Sequence, residues 1–322
     1  MQLLLVVQLQ LLDKKKIITM KRLLILAVII TCGFTLKAQQ LPQITQYMIN
    51  DYAINPALAG MENFYQVKTT IRNQWVGVAD APRTTILSIY GSRSKHVGLG
   101  ALVFNDQSGP TSRIGGSASY TYSFQLLQSI DLAFALSGGF TQFKITKQGL
   151  NVLDANDKLL LGGDVVRTAP DATFGFNFSG EKWYVGMSIP HLLSSNLDLM
   201  GDDYQRIYED VSEGELTQHF YILGAYEHSF NTFSIEPSIL FKAVSGAPAQ
   251  LDLGIKTTYN DNLWIGMNYR DNGELSALAG YSIDERYVIG YSYDMMSKLG
   301  PSHEFMLGIR FVPVKESDIK YY

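Results

Sequence analysis

The chain has 322 residues and a single cysteine, Cys32, so it can build neither an internal disulfide nor a thiolate-rich metal site. It also lacks a surplus of positive charge. With 26 Lys and Arg against 30 Asp and Glu, the net charge of -4 leaves no basic patch of the kind that binds nucleic acid. Apolar runs of about 20 residues, which a transmembrane helix requires, are missing, and Leu23 to Leu36 is too short to serve. Catalytic signatures are missing as well. His96, His191, His219, His228 and His303 form no His-Glu-x-x-His spacing. There is no Gly-x-Ser-x-Gly elbow and no Gly-x-x-x-x-Gly-Lys phosphate loop. No histidine has a serine two residues onward, as a strand-borne His/Ser pair would need. Gly98 and Gly100 sit within a strand pattern, not between a strand and a helix.

What is present is alternation. In Ile114–Phe124, Ile114, Gly116, Ala118, Tyr120, Tyr122 and Phe124 share one face and Gly115, Ser117, Ser119, Thr121 and Ser123 the other. Ile130 to Thr141 repeats the pattern after the link Gln125–Ser129, with Phe134 and Leu136 opposite Ala135 and Ser137. A period of two is a strand period, whereas helical spacing would mix Tyr with Ser on every face. These segments run well past the usual 5–6 residues of a globular strand and match the roughly 9–11 that a tilted strand needs to cross a bilayer. Hydrophobic residues at 46% with a mean hydropathy of only +0.02 fit a wall whose every second residue faces a lumen. Nineteen Tyr, sixteen Phe and three Trp suit interfacial aromatic girdles.

Alternation and turn residues place strands near Phe64–Trp75, Thr84–Gly91, Val97–Phe104, Ile114–Phe124, Ile130–Phe143, Asp171–Phe178, Trp183–Ile189, Gln218–Phe230, Phe233–Val244, Gln250–Tyr259, Leu263–Arg270, Glu274–Ser282, Tyr287–Asp294 and His303–Phe311. The expected fold is therefore all-β: a transmembrane antiparallel up-and-down barrel of about 14 strands over residues 64–311. If the N-terminus is periplasmic, connections after odd strands are extracellular and should be the long ones. Lys144 to Pro170 and Pro190 to Thr217 obey, while Ser179–Lys182 and Asn260–Asn262 fall on the short side. Phe311 or the final Tyr321-Tyr322 supplies a terminal aromatic.

Residues 1–38 read as a cleaved signal peptide, with Met20 as a candidate start, Lys21 and Arg22 as the charged region and Ala38 before the cut at Gln39. Thr31 fits poorly before a lipidated cysteine, so Cys32 is not expected to carry a lipid. Residues 39–63 read as a periplasmic linker holding a capped turn, and 312–322 as a tail. In the turn, Asn55 is a good N-cap, Pro56 suits the first helical position and Gly60 can close in the left-handed conformation. Asn50, Asn55, Pro56 and Gly60 mark it either as a plug or interaction element at the barrel mouth or as a turn that only orients the chain.

The runs QYMINDYAINPALAG, VGMSIPHLL, IEPSILFKAVSGAPAQLDLGIKTTYNDNLWIGMNYR and GYSYDMMSKLGPSHEFMLGIRF together resemble the PorP/SprF family of outer-membrane proteins associated with the type IX secretion system. The resemblance covers nearly the whole mature chain. It implies a non-enzymatic barrel without cofactors, set in outer-membrane lipid, that works with periplasmic secretion components and a secreted adhesin or other cargo in secretion and gliding motility.

Two bland features complete the reading. Asp198, Asp202, Asp203, Glu209, Asp210, Glu213 and Glu215 could hold calcium but read better as a solvated loop. Asp252 and Lys256 face the expected lumen, where they either select solutes or neutralise one another inside a plugged barrel. A docking and delivery role is therefore set against a passive porin or solute channel.

Overall fold

A computed structural model describes residues 41–147, 163–197, 215–295 and 299–311. The signal-peptide reading with its cut at Gln39, Cys32, the acidic run from Asp198 to Glu213 and the tail 312–322 lie outside the described residues. The barrel belongs to one compact unit, Gln39–Val244 with Pro248–Tyr322.

Its strands are β1 (Tyr65–Asn73), β2 (Arg83–Ser94), β3 (Val97–Ser108), β4 (Thr111–Leu127), β5 (Ile130–Ile145), β6 (Val165–Ser179), β7 (Trp183–Ile189), β8 (His219–Tyr226), β9 (His228–Ser229), β10 (Phe233–Val244), β11 (Gln250–Tyr259), β12 (Leu263–Arg270), β13 (Leu275–Ile283), β14 (Tyr287–Met295) and β15 (Ser302–Phe311). Each pairs antiparallel with its neighbour, and β15 returns to β1, Tyr65 lying opposite Phe311. β8 and β9 both pair with β10 on either side of Glu227, so they form one wall strand. The result is a closed 14-strand antiparallel barrel. Every strand has a neighbour on both sides, so the sheet has no terminal edge strand, although β6 before Phe174 extends past the end of β7. The last paired aromatic is Phe311.

Alternation decides which face each residue takes. In β12, Leu263, Ile265, Met267 and Tyr269 are exposed on the outside, while Trp264, Asn268 and Arg270 are buried within. In β5, Phe134 is 42% exposed and Ser137 only 4%. An outer surface of Leu, Ile, Val, Phe and Tyr around a polar interior is the arrangement of a barrel set in lipid.

The observed strands differ from the expected ones chiefly at β6, which begins at Val165 instead of Asp171. The stretch Lys144 to Pro170 was expected as a loop, but its end is strand, with Pro170, which cannot donate to a ladder, inside it. Here it costs nothing. N–H and C=O of one strand residue point to the same side, and the Pro170 carbonyl accepts from Ser195 Oγ, away from β5. β7 reaches only as far as Phe174 on that side, so no rung is lost.

The connections sort by end. Those between β1 and β2, β5 and β6, and β7 and β8 lie at one mouth, called here the long-connection end. At the other mouth tight turns dominate, such as Lys95-His96 between β2 and β3 and Gly180–Lys182 between β6 and β7.

Candidate functional site: the segment that fills the lumen

The core of the protein is inside the barrel. Ile44, Tyr47, Met48, Ile54 and Leu58 pack against inward-facing Ile86, Tyr221, Leu223, Leu240, Trp264, Leu278, Val288 and Met306. The segment from Leu41 to Gly60, expected as part of a periplasmic linker whose capped turn either plugs the barrel mouth or only orients the chain, lies within the barrel. Burial of a large apolar side chain is worth about 1.5–3 kcal/mol. Tyr52, Ala57 and Ala59 of the segment are buried as well. Polar anchors join this apolar contact along the segment's length.

The path runs from mouth to mouth. Gln43 faces Gln250 and Arg270 at the long-connection end, and its amide oxygen accepts from both once the amide is oriented to satisfy them. Next, the Glu304 carboxylate accepts from the backbone N–H groups of Thr45 and Gln46, each at 2.9 Å. Arg72 joins Glu304 at 3.1 Å and Asp294 at 2.5 Å, and donates to Thr45 Oγ1. All three charged side chains are at most 2% exposed. Lower down, Asn50 accepts from Ser88 Oγ at 3.0 Å, and Lys68 donates to the carbonyl of Ile49 and to Tyr90 Oη. The chain leaves past Gly60, which lies against Gly98 at the foot of β3, and enters β1 at the tight-turn end.

Two short 3-10 turns shape the lower half: Asp51–Ala53, absent from the expected elements, and Pro56–Gly60. Asn55 caps the second as expected, its Oδ1 accepting from Ala57 N at 3.0 Å with Pro56 first in the turn. Its Nδ2 donates to the carbonyl of Phe176 at 3.0 Å. Gly60 does not take the left-handed conformation, and the turn is closed by Met61 in the right-handed helical region. Glycine is needed for proximity: a Cβ on Gly98 would stand 2.7 Å from Gly60 N. Added Cβ atoms on Gly175 and Gly186 would strike the Asn55 amide at 2.3 and 2.5 Å. The wall is notched where the turn seats.

Tyr52 stacks on Tyr90 at 4.4 Å between ring centroids and meets Ser119 Oγ at 2.8 Å, while the Tyr47 hydroxyl reaches Ser238 Oγ.

Of the residues singled out in sequence, Asn50, Asn55 and Pro56 are buried in this contact and Gly60 is partly buried. The lumen charges also pair, though not with each other. Asp252 binds Lys242 at 3.2 Å and Arg270 at 3.2 Å, and Lys256 binds Glu236 at 2.8 Å. Sequence reasoning missed Arg72, Asp294 and Glu304, which the closure of the barrel brings together from β1 at one end of the chain and β14 and β15 at the other. It also missed His191 Nδ1 with Asp171 Oδ2 at 2.8 Å, the His191 ring lying 5.7 Å from that of His219. Among the described residues no group of three or more His, Cys, Asp or Glu is placed to hold a metal ion.

A sequence model described as type IX secretion system membrane protein PorP/SprF matches residues 36–309. The chain belongs to the PorP/SprF family. No curated protein matches this PorP/SprF chain in sequence. Solved structures similar to it include the CymD monoaromatic hydrocarbon channel, at 12% identity over 77% of this chain and 87% of that one, with a TM-score of 0.48. The Ralstonia pickettii toluene transporter TbuX is similar at 10% identity, over 80% of this chain and 91% of that one, with a TM-score of 0.47. Acinetobacter baumannii outer membrane protein Omp33 shares 8% identity over 78% of this chain and 100% of that one, with a TM-score of 0.46. Likeness at this level carries no argument about what the PorP/SprF chain binds.

Proposed function

We propose that this PorP/SprF protein is a plugged, non-enzymatic outer-membrane barrel that serves type IX secretion by docking periplasmic secretion components and holding a secreted adhesin or other cargo at the cell surface, in support of gliding motility. A cleaved signal peptide over residues 1–38 delivers it, and the long-connection end is the outer face. The observation that carries the reading is the filled lumen: Thr45, Gln46, Tyr47, Asn50 and Asn55, on consecutive levels of the barrel, are each at most 1% exposed. A barrel so filled is suited to touching partners more than to passing solutes.

The alternative is a passive solute channel, and the two readings part in planar bilayers. The intact protein is expected to give no steady current, and a variant lacking residues 43–60 to give one. Steady current through the intact protein favours the channel. Deleting the gene should remove a defined secreted protein from the cell surface in quantitative surface proteomics while nutrient uptake persists. An unchanged surface proteome with reduced solute permeability overturns the docking role.

A further inference from the structure

On the outside of the barrel, the long-connection end carries a polar patch. The register sets Asn73 beside His303 and Arg83, and Arg83 beside Gln107, in one row across β15, β1, β2 and β3. The row lies on the face that points away from the lumen. Toward the tight-turn end that face continues through Thr85 and Asn105 to the exposed apolar Ile71, Leu87, Val103 and Phe305. Here the strands leave the apolar band, at the level of lipid headgroups.

Residues 74–82, which join β1 to β2, bound a groove of about 520 Å³ together with Asn73, Arg83 and Gln107 of this row. Pockets that hold small ligands span roughly 300–1,000 Å³. The connection is tied down on both flanks. Val76 N donates to the Pro301 carbonyl at 2.8 Å on the side of β15, and Gly109 N donates to the Asp80 carbonyl at 2.9 Å on the side of β3. Trp75, with φ at 46°, and Asp80, with φ at 56°, stand in the left-handed region. For a side chain as bulky as Trp such backbone is rare, persists only where its surroundings fix it, and clusters at ligand sites.

Trp75, Val78 and Asp80 of the connection also line the groove. None of Asn73, Asp80, Arg83 and Gln107 has a side-chain hydrogen bond or ion pair among the described residues. Inside the barrel, by contrast, Arg72, Lys242, Lys256 and Arg270 each hold a carboxylate. Arg83 offers only donors, Asp80 only acceptors, and the two amides offer both. A bare anion entering the groove would meet the Asp80 carboxylate as well as Arg83. A sugar ring suits the whole set, because its hydroxyls both donate and accept and its C–H face can lie on Trp75 and Val78.

We propose that this groove binds the sugar headgroup of an outer-leaflet glycolipid, whose acyl chains run down the wall over Ile71, Leu87 and Val103. The lipid is chosen over a soluble glycan because the groove opens at the edge of the apolar band. The proposal rests on the reading of the long-connection end as the outer face and is separate from the docking role.

The test is native mass spectrometry on the full barrel, refolded in sugar-free detergent micelles with equal mole fractions of lipid A and cardiolipin. Both lipids carry phosphates and several acyl chains, but only lipid A has a glucosamine disaccharide. The wild type should retain lipid A over cardiolipin by about ten-fold. Arg83→Ala and Gln107→Ala should each cut that preference. Trp75→Gly should do the same while the barrel stays closed in heat-modifiable gel mobility, since glycine accepts the left-handed backbone. Arg93→Ala, at an exposed residue of β2 beside the opposite mouth, should leave the preference intact. In intact cells, a membrane-impermeant maleimide should label Ala79→Cys in the exposed connection. Equal retention of cardiolipin, or a preference that survives in closed Arg83→Ala and Trp75→Gly barrels, overturns the proposal. Displacement of lipid A by an equal concentration of the soluble disaccharide phosphate assigns the groove to a free glycan and overturns the lipid source. Absence of labelling at position 79 overturns the outer-leaflet assignment, whereas a failed docking role in surface proteomics leaves all of these readouts unchanged.

Discussion

The two sides of the lumen hold the same segment by different physics. On the side of β1, β14 and β15, Arg72, Asp294 and Glu304 grip Thr45 and Gln46 through buried ions. On the side of β2–β7, Tyr52, Asn55, Pro56 and Gly60 are held by hydroxyls, carbonyls and glycine notches, without ion pairs among their direct contacts. A buried ion grip is costly to break but tolerant of small shifts. Notches fix position within tenths of an ångström and contribute less energy each. The charged side supplies retention and the neutral side supplies register.

The largest expected effect comes from breaking the grip. Arg72→Met leaves two buried carboxylates without their cation and should cost about 3–5 kcal/mol, read as a lower denaturant midpoint for unfolding from lipid vesicles. A loss below about 1 kcal/mol would mean that the carboxylates find water and that the side is not ionic in effect. Gly98→Ala attacks the other side by overpacking a notch and should cost about 1–3 kcal/mol. Because the added methyl meets backbone at Gly60, the turn should also become sensitive to proteases at the exposed Met61–Asn63 while the barrel stays closed. Asn55→Ala removes the cap and the donor to Phe176, with an expected cost of about 1–2 kcal/mol. Its effect should add to that of Arg72→Met within a few tenths of a kcal/mol if the two sides act independently. The smallest effect is that of salt. Raising ionic strength to 1 M shortens the screening length to about 3 Å but does not reach buried pairs, so the wild-type midpoint should shift little beyond the general salt response shared by Arg72→Met.

Much of the wall was legible because strand alternation is local. Phe134 and Ser137 take their faces from neighbours two residues away, and the lipid enforces the pattern along every strand. The closing of β15 on β1 followed from an even strand number. Asn55 and Pro56 were legible for the same reason, since capping is a matter of four adjacent residues. The lumen was not. Arg72, Asp294 and Glu304 look in sequence like scattered polar residues on inward faces, and only the register of three strands brings them together. Gly60 was assigned the wrong duty because a glycine ending a turn fits both left-handed closure and close approach, and its partner Gly98 lies on another strand. The start of β6 was not legible for a related reason, since the direction of Pro170 relative to β5 and β7 is a tertiary fact.

Because the segment enters at one mouth and leaves at the other, it is also a line of force. A pull on its upper end is axial to the barrel and runs along the chain toward β1. Such a load meets the Thr45–Glu304 and Arg72 contacts first, then the Asn50 and Lys68 bonds, and only afterwards the notched turn, so the anchors are loaded in series. The last of them, Gly60 against Gly98, sits next to the covalent junction with β1, whose rungs to β2 and β15 then take the load in shear. Pulled from its upper end, the segment behaves as a tether fixed at the far side of the wall.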